Sequence, residues 1–388
     1  MPEYKVNKWR GVYKRAIELY NEEKYQDSAT FLDMVVTNDP ENFNACYYFG
    51  TLLYSGKGVS KNVKRAFEMF MVAAQNKVTE AQYRVGMCYL EGIGINQDST
   101  QAVAWFSEAA KYAHPLSQYY LGLAYMKGEG INKDIPKAAQ WLVHAAKEGV
   151  VDAQREAAKC YEELGKKKGA AVLYLAAAEN NDPYSQKKIA DCYEKGDGAL
   201  QSSELALHYY ELAAENGNDE AQVTLGNKYS SGQGVPQDMK KALALYNQAA
   251  KAGNGEAQNR LAECYHLGDG IIKDDVLAVE WWTKAANAGN TTAMIHLAEN
   301  LTEPNNNQVK PDLVTAKYWW TKAAESGDAY AMYRLGDCYE KGLGVSNISL
   351  EDAFKWYRLG AQNGDQDAID ASQRFTKSLT GKVKLKKM

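Results

Sequence analysis

Five histidines, His114, His144, His208, His266 and His296, and six cysteines are the side chains best suited to acid–base, nucleophilic or metal chemistry. Catalysis by such groups needs an acid, a base and a nucleophile that converge. No histidine here has a His or Cys partner at zinc-ligand spacing, no C-x-x-C pair exists, and none falls in a nucleophile motif. The many carboxylates read as solvated faces. The sequence therefore predicts no catalytic residue, no metal and no cofactor.

The cysteines make the same point by position. Cys88, Cys160, Cys192, Cys264 and Cys338 recur in one register, and Cys46 stands outside it. Equivalent positions on stacked helices lie roughly 8–10 Å apart, too far for a disulfide. Buried free thiols are expected, which suits a reducing compartment. Gly-x-Gly occurs at Gly56/Gly58, Gly92/Gly94, Gly128/Gly130, Gly196/Gly198, Gly232/Gly234, Gly268/Gly270 and Gly342/Gly344. A phosphate cradle needs a strand before such a turn, and none precedes these, so they read as loop closures.

The 388 residues are 45% hydrophobic and 24% charged, with a formal net charge of −4. That balance exerts no general pull on nucleic acid or an anionic membrane. Met1–Arg10 lacks an apolar signal core, and the longest apolar run, residues 169–178, is too short to span a bilayer. A cytoplasmic protein is expected. The sequons at Asn290, Asn300 and Asn347 read as accidental, and the lysine-rich end, Lys382–Lys387, as a solvated disordered tail.

Positioning these residues is the work of one recurring stretch, seen at Ala221–Glu256. Ala221, Leu225, Gly226 and Tyr229 form one helical pattern, a Gly-rich connection follows, and Ala242, Leu245, Tyr246, Ala249 and Ala250 form a second. One such hairpin cannot bury its own apolar face and must stack on neighbours. Units begin at Ala45, Ala81, Ser117, Ala153, Ser185, Ala221, Ala257, Ala293 and Ala331. Most are 36 residues long; that at Ala153 has 32 and that at Ala293 has 38.

Five residues into each unit stands glycine (Gly50, Gly86, Gly122, Gly226, Gly336) or alanine, where helices cross closely. Three further on, tyrosine recurs from Tyr89 to Tyr339. Paired alanines mark the second helices, and Asn62, Asp98, Asp134, Ser202, Asp238 and Asp274 read as their N-caps. The pattern A-x-x-x-L-G-x-x-Y-x-x-G-x-G-V, then D-x-x-K-A-x-x-W/Y-x-x-A-A, resembles the Sel-one-like repeat family over about residues 45–367. The helix pair within Val6–Glu41 resembles a tetratricopeptide repeat. The chain departs from the pattern at Leu164–Lys168, which lacks G-x-G, and at Pro304–Asn307.

The resemblance implies an all-α fold: a right-handed α-α superhelix, or solenoid, of about nine hairpins with N- and C-terminal capping helices. No β-sheet is expected. Residues 1–44 would be the N-terminal cap, 45–367 the array, and 368–388 a capping helix at Ala368–Phe375 with the basic tail. The implied function is a non-catalytic scaffold or adaptor holding a partner peptide or helix in a concave groove. The alternative is a regulator of one enzyme, or a bacterial host-interaction effector, acting through loops and edges. A protein or peptide partner is expected, with no nucleic acid and no membrane span.

In tetratricopeptide superhelices the groove is lined by first helices, here at positions two, six and nine of each unit. The first three units place Tyr47, Tyr83, Met87, Leu90, Tyr119, Leu123 and Met126 on that stripe. Later units place Glu263, Glu299, Asp337 and Glu340 there. The tyrosines read equally well as packing residues, whereas Met and Leu clusters on a surface mark adaptable binding.

Overall fold

The computed structural model describes residues 3–303, 309–377 and 383–385. Pro304–Asn307 and, within the basic end, Lys382, Lys386 and Lys387 lie outside them. The described residues divide into two compact units, 1–202 and 203–388. Unit 1 carries α1 (Glu3–Asn21), α2 (Tyr25–Asn38), α3 (Phe43–Ser55), α4 (Val63–Gln75), α5 (Thr79–Glu91), α6 (Ser99–Lys111), α7 (Pro115–Lys127), α8 (Ile135–Lys147), α9 (Val151–Glu163), α10 (Lys167–Glu179) and α11 (Pro183–Lys195). Unit 2 carries α12 (Ser203–Glu215), α13 (Asp219–Ser231), α14 (Met239–Lys251), α15 (Gly255–Leu267), α16 (Asp275–Asn287), α17 (Thr291–Thr302), α18 (Leu313–Glu325), α19 (Ala329–Lys341), α20 (Leu350–Gln362) and α21 (Gln366–Gln373). Within each unit successive helices pack on one another, the arrangement of an α-solenoid.

The repeat columns explain that packing. All nine unit-starting residues, from Ala45 to Ala331, are fully buried. A Cβ built on Gly86 would sit 2.6 Å from the Phe106 ring, and one on Gly226 would sit 2.5 Å from Tyr246. The missing side chain is therefore what lets the second helix slide its aromatic ring beneath the first. Asn62, Asp98, Asp134, Asp238 and Asp274 each accept the N–H three residues on, as N-caps do. First helices are capped in the same way by Asn42, His114, Asp182, Asn218, Asn254, Asn290, Asp328 and Asp365.

Neighbouring hairpins are also clamped by a column that the sequence reading passed over. Gln82, Gln118, Gln154, Gln186, Gln222 and Gln258 each donate from Nε2 to the carbonyl of the preceding hairpin's second paired alanine, at 3.0–3.4 Å. All six glutamines are buried. The Gly-x-Gly turns close loops: Gly92 ends α5 in the left-handed region. Gly94, at φ +77°, lies against the preceding second helix, where a Cβ would meet the Val63 carbonyl oxygen at 2.4 Å.

Two expectations at the C-terminus are corrected. There is a small sheet: β1 (Phe375–Lys377) pairs antiparallel with β2 (Val383–Leu385), in the register Phe375 to Leu385. The described part of the basic end is thus a strand, not a solvated tail. The reason is apolar: Phe375 is buried against Ala353, Tyr357 and Ala371, and Val383 packs on the same cluster. Accordingly the last helix ends at Gln373, and Phe375 belongs to the sheet.

Candidate partner-binding face

In unit 1 the predicted stripe lies along α3, α5 and α7. Tyr47, Tyr83, Met87, Leu90, Tyr119, Leu123 and Met126 are all half-buried. The tyrosines pack while keeping one edge at the surface. Tyr47 lies 6.1 Å from Phe70, and Tyr83 lies 6.2 Å from Phe106 and 4.9 Å from the His114 imidazole, between ring centroids. Met87 and Leu90 lean on the same cluster as Tyr83. Burial, with Tyr120 beside it, pushes the Tyr83 hydroxyl up to about 12, and burial near Asp152 does the same for Tyr119. Both remain protonated donors at neutral pH.

The residue three into each unit was not singled out from the sequence, yet it belongs to the same face. On α3, α5 and α7 it is Tyr48, Arg84 and Tyr120. Tyr48 packs edge-on to Tyr47 at 5.3 Å, and Tyr120 stacks on Phe106 at 5.3 Å. Arg84 is half-buried, with its guanidinium 5.8 Å from the adjacent Tyr83 ring. Burial holds His114 below its ordinary pKa, opposed by Glu80 and aided by Arg84. Its Nδ1 accepts the Ser117 N–H at 3.1 Å, so this imidazole is neutral and serves as a helix cap.

In unit 2, α15, α17 and α19 fill the same columns with charges that already have partners. Arg260 pairs with Glu256 at 3.0 Å and Glu263 at 3.2 Å. His296 lies 3.6 Å from Glu263 and 3.6 Å from Glu299. These flanking carboxylates, Glu263 first, raise the His296 pKa to about 9. Burial acts against ionisation of Glu263, but His296, Arg260 and Asn259 hold its carboxyl below the usual range. Tyr330 donates to Glu299 at 3.0 Å, and Arg334 donates to the Tyr330 hydroxyl at 2.9 Å. Buried Asp337 accepts from Tyr357 at 2.8 Å and pairs with Lys341 at 2.8 Å. Glu340 accepts from Tyr357 at 2.6 Å and pairs with Arg374 at 2.9 Å. The acidic stripe is therefore brought together, but with internal partners.

This network borders a cavity of about 450 Å³ lined by Glu263, His266, Trp282, His296, Glu299 and Arg334. His266 Nδ1 lies 2.6 Å from Asp275 Oδ1, a carboxylate buried at the start of α16. Arg260, His296 and Arg334 share the third position of successive units, a regularity that could have disclosed the network. Burial pushes the thiols of Cys88, Cys160, Cys264 and Cys338 up to about 11, away from nucleophilic use. No group of three or more His, Cys, Asp or Glu among the described residues is disposed to hold a metal. None of the described helices is long and apolar enough to cross a membrane.

The model of the Sel1 repeat family matches residues 44–77, 79–111, 115–150, 183–218, 219–254, 255–290, 292–328 and 329–365. Between the first and last matches the hairpin α9–α10, whose loop lacks Gly-x-Gly, is left unmatched. Among solved structures the chain is similar to c5321, described as a protective antigen present in uropathogenic Escherichia coli strains displaying an SLR fold. Identity is 30% and the TM-score 0.74, covering 87% of this chain and 73% of that one. It is also similar to a Sel1 repeat protein from Oxalobacter formigenes, at 24% identity and a TM-score of 0.46, covering 91% of this chain and 88% of that one. No curated protein matches the sequence.

Proposed function

The chain belongs to the Sel1 repeat family, whose members are generally protein–protein interaction scaffolds, and from that premise we propose that it is a non-catalytic adaptor. Its docking face is the first-helix stripe of unit 1, and its occupant is a segment of a partner protein. One contrast carries this reading. The stripe along α5 and α7 presents Met87, Leu90, Leu123 and Met126 half-exposed, whereas the same columns along α15 and α17 carry Glu263 and Glu299, engaged by Arg260 and His296. Apolar anchors of this kind supply most of the affinity in an interface, about 2 kcal/mol or more for each hot spot. The buried free thiols support a cytoplasmic setting.

The test places a photo-crosslinking residue at Leu90 in living cells and identifies the crosslinked segments. Leu123→Glu with Met126→Glu should erase those crosslinks while the far-ultraviolet circular dichroism stays helical. Crosslinks that persist in the double variant would move the docking face elsewhere.

A further inference from the structure

Among the described residues, Arg84 is the one charge in the stripe columns of α3, α5 and α7, and it has no counter-charge. It makes no ion pair among the described residues, although Glu80 lies four residues before it on α5. The corresponding Arg260 of unit 2 uses both neighbours available to it on the helix, Glu256 four residues before and Glu263 three residues after. For Arg84 the residue three after is Met87, and Glu80, which acts on His114, is exposed and forms no ion pair with Arg84. The neighbouring imidazole, His114, is neutral. A half-buried guanidinium without a carboxylate carries a desolvation cost that a bound anion relieves.

We infer that Arg84 is the anchor for an acidic side chain, Asp or Glu, in the partner segment, whose neighbouring apolar residue seats on Met87 and Leu90. This deepens the proposed function and rests on it. Three observations give the occupant its chemistry. The guanidinium sits beside the Tyr83 ring at 5.8 Å, Tyr83 lies 6.1 Å from Tyr120, and no acid of the face occupies the cation. A nucleic-acid strand would require several free cations along its phosphates; the next cations along the stripe, Arg155, Lys159 and Lys187, are each held by a carboxylate. A basic segment would meet uncompensated repulsion at Arg84, and a purely apolar one would leave it buried and unpaired.

The experiment selects from a phage-displayed library of random peptides about 12 residues long. Each peptide is fused at its C-terminus, so that no terminal carboxylate is free. Selection on the full chain should enrich sequences with Asp or Glu beside a large apolar residue. The best such peptide, synthesised with amidated ends, should lose about tenfold or more in affinity on Arg84→Gln, or when its acid is changed to the amide. The two changes together should cost little more than either alone. Leu123→Glu with Met126→Glu should abolish binding in every case. Peptides lost in that double variant but indifferent to Arg84→Gln would overturn the acidic anchor and leave the docking face standing. Peptides that bind the double variant as well as the parent, or no enrichment at all, would overturn the face and the anchor together.

Discussion

Arg84 and Arg260 hold the same place in their repeats, three residues in, and differ in what stands one turn further along the helix. Met87 follows Arg84, while Glu263 follows Arg260 and closes on it at 3.2 Å. The backbone frame beneath them is the same: Gly86 over Phe106 in one unit, Ala262 over Trp282 in the other, with a glutamine clamp beside each. The family scaffold fixes the buried columns and leaves the outward columns free. An outward column filled with self-satisfied charges stiffens a face. One filled with half-buried Met, Leu and Tyr around a lone cation keeps surface for another chain.

The largest effects should come from the shared frame, and they should be alike in both units. Gly86→Leu and Gly226→Leu each drive a side chain into an aromatic ring that a Cβ alone would approach to 2.6 Å and 2.5 Å. Each should cost about 3 kcal/mol in urea unfolding, the upper part of the overpacking range. If one of the pair were neutral, the two units would not share a packing register, and the comparison between them would fail.

That frame was largely legible in the sequence, because a column of glycine, alanine or tyrosine recurring every hairpin records a steric demand made nine times. The glutamine column was equally regular, but a polar residue beside a buried alanine does not say on its own that it reaches eight residues back. The face was legible only in part. Glu263 and Glu299 were visible as acids, yet their meaning depends on His296, whose ring reaches one across a helix stack and the other along its own helix. The C-terminal strand pair was missed because three-residue strands are too short to show an alternation; burial against α20 and α21, a tertiary effect, makes the sheet. The Sel1 pattern likewise says nothing about that segment, which follows the last match at residue 365.

The next contrast is in pH dependence, where the two units should err in opposite directions. His296 has its folded pKa raised to about 9 by Glu263 and Glu299, above its ordinary value of 6.5. Its contribution is therefore complete below the unfolded pKa and is lost as pH rises through about 9. Because its side chain is 34% exposed, solvent screening leaves roughly 1 kcal/mol of this. His114 has its folded pKa lowered by burial, so the unfolded chain takes the proton first and stability falls as pH drops below 6.5. Unfolding monitored between pH 5 and pH 10 (roughly the range over which both groups titrate) should lose its alkaline limb in His296→Asn. It should lose part of its acid limb in His114→Asn, whose amide can still cap α7. An alkaline limb unchanged by His296→Asn would show that the carboxylates of unit 2 are satisfied without it.

The smallest stability effect sharpens the comparison most. Met87→Glu gives Arg84 the same i+3 carboxylate that Arg260 finds in Glu263. An exposed helical ion pair is worth about 0.3–0.5 kcal/mol, and the apolar contact that Met87 makes with the Phe106 cluster is lost in exchange. The two terms should nearly cancel, leaving a change in unfolding free energy below about 0.5 kcal/mol. Salt is what separates them, because only the ion pair is screened. Raising ionic strength from about 50 to 500 mM should destabilise Met87→Glu relative to the parent chain. The same substitution should remove the acidic-peptide binding assigned to Arg84, since the guanidinium then has its carboxylate in place. If Met87→Glu showed no added salt sensitivity and still bound acidic peptides, Arg84 would be directed away from the third-residue column. The difference between the two units would then lie in side-chain orientation, not in pairing.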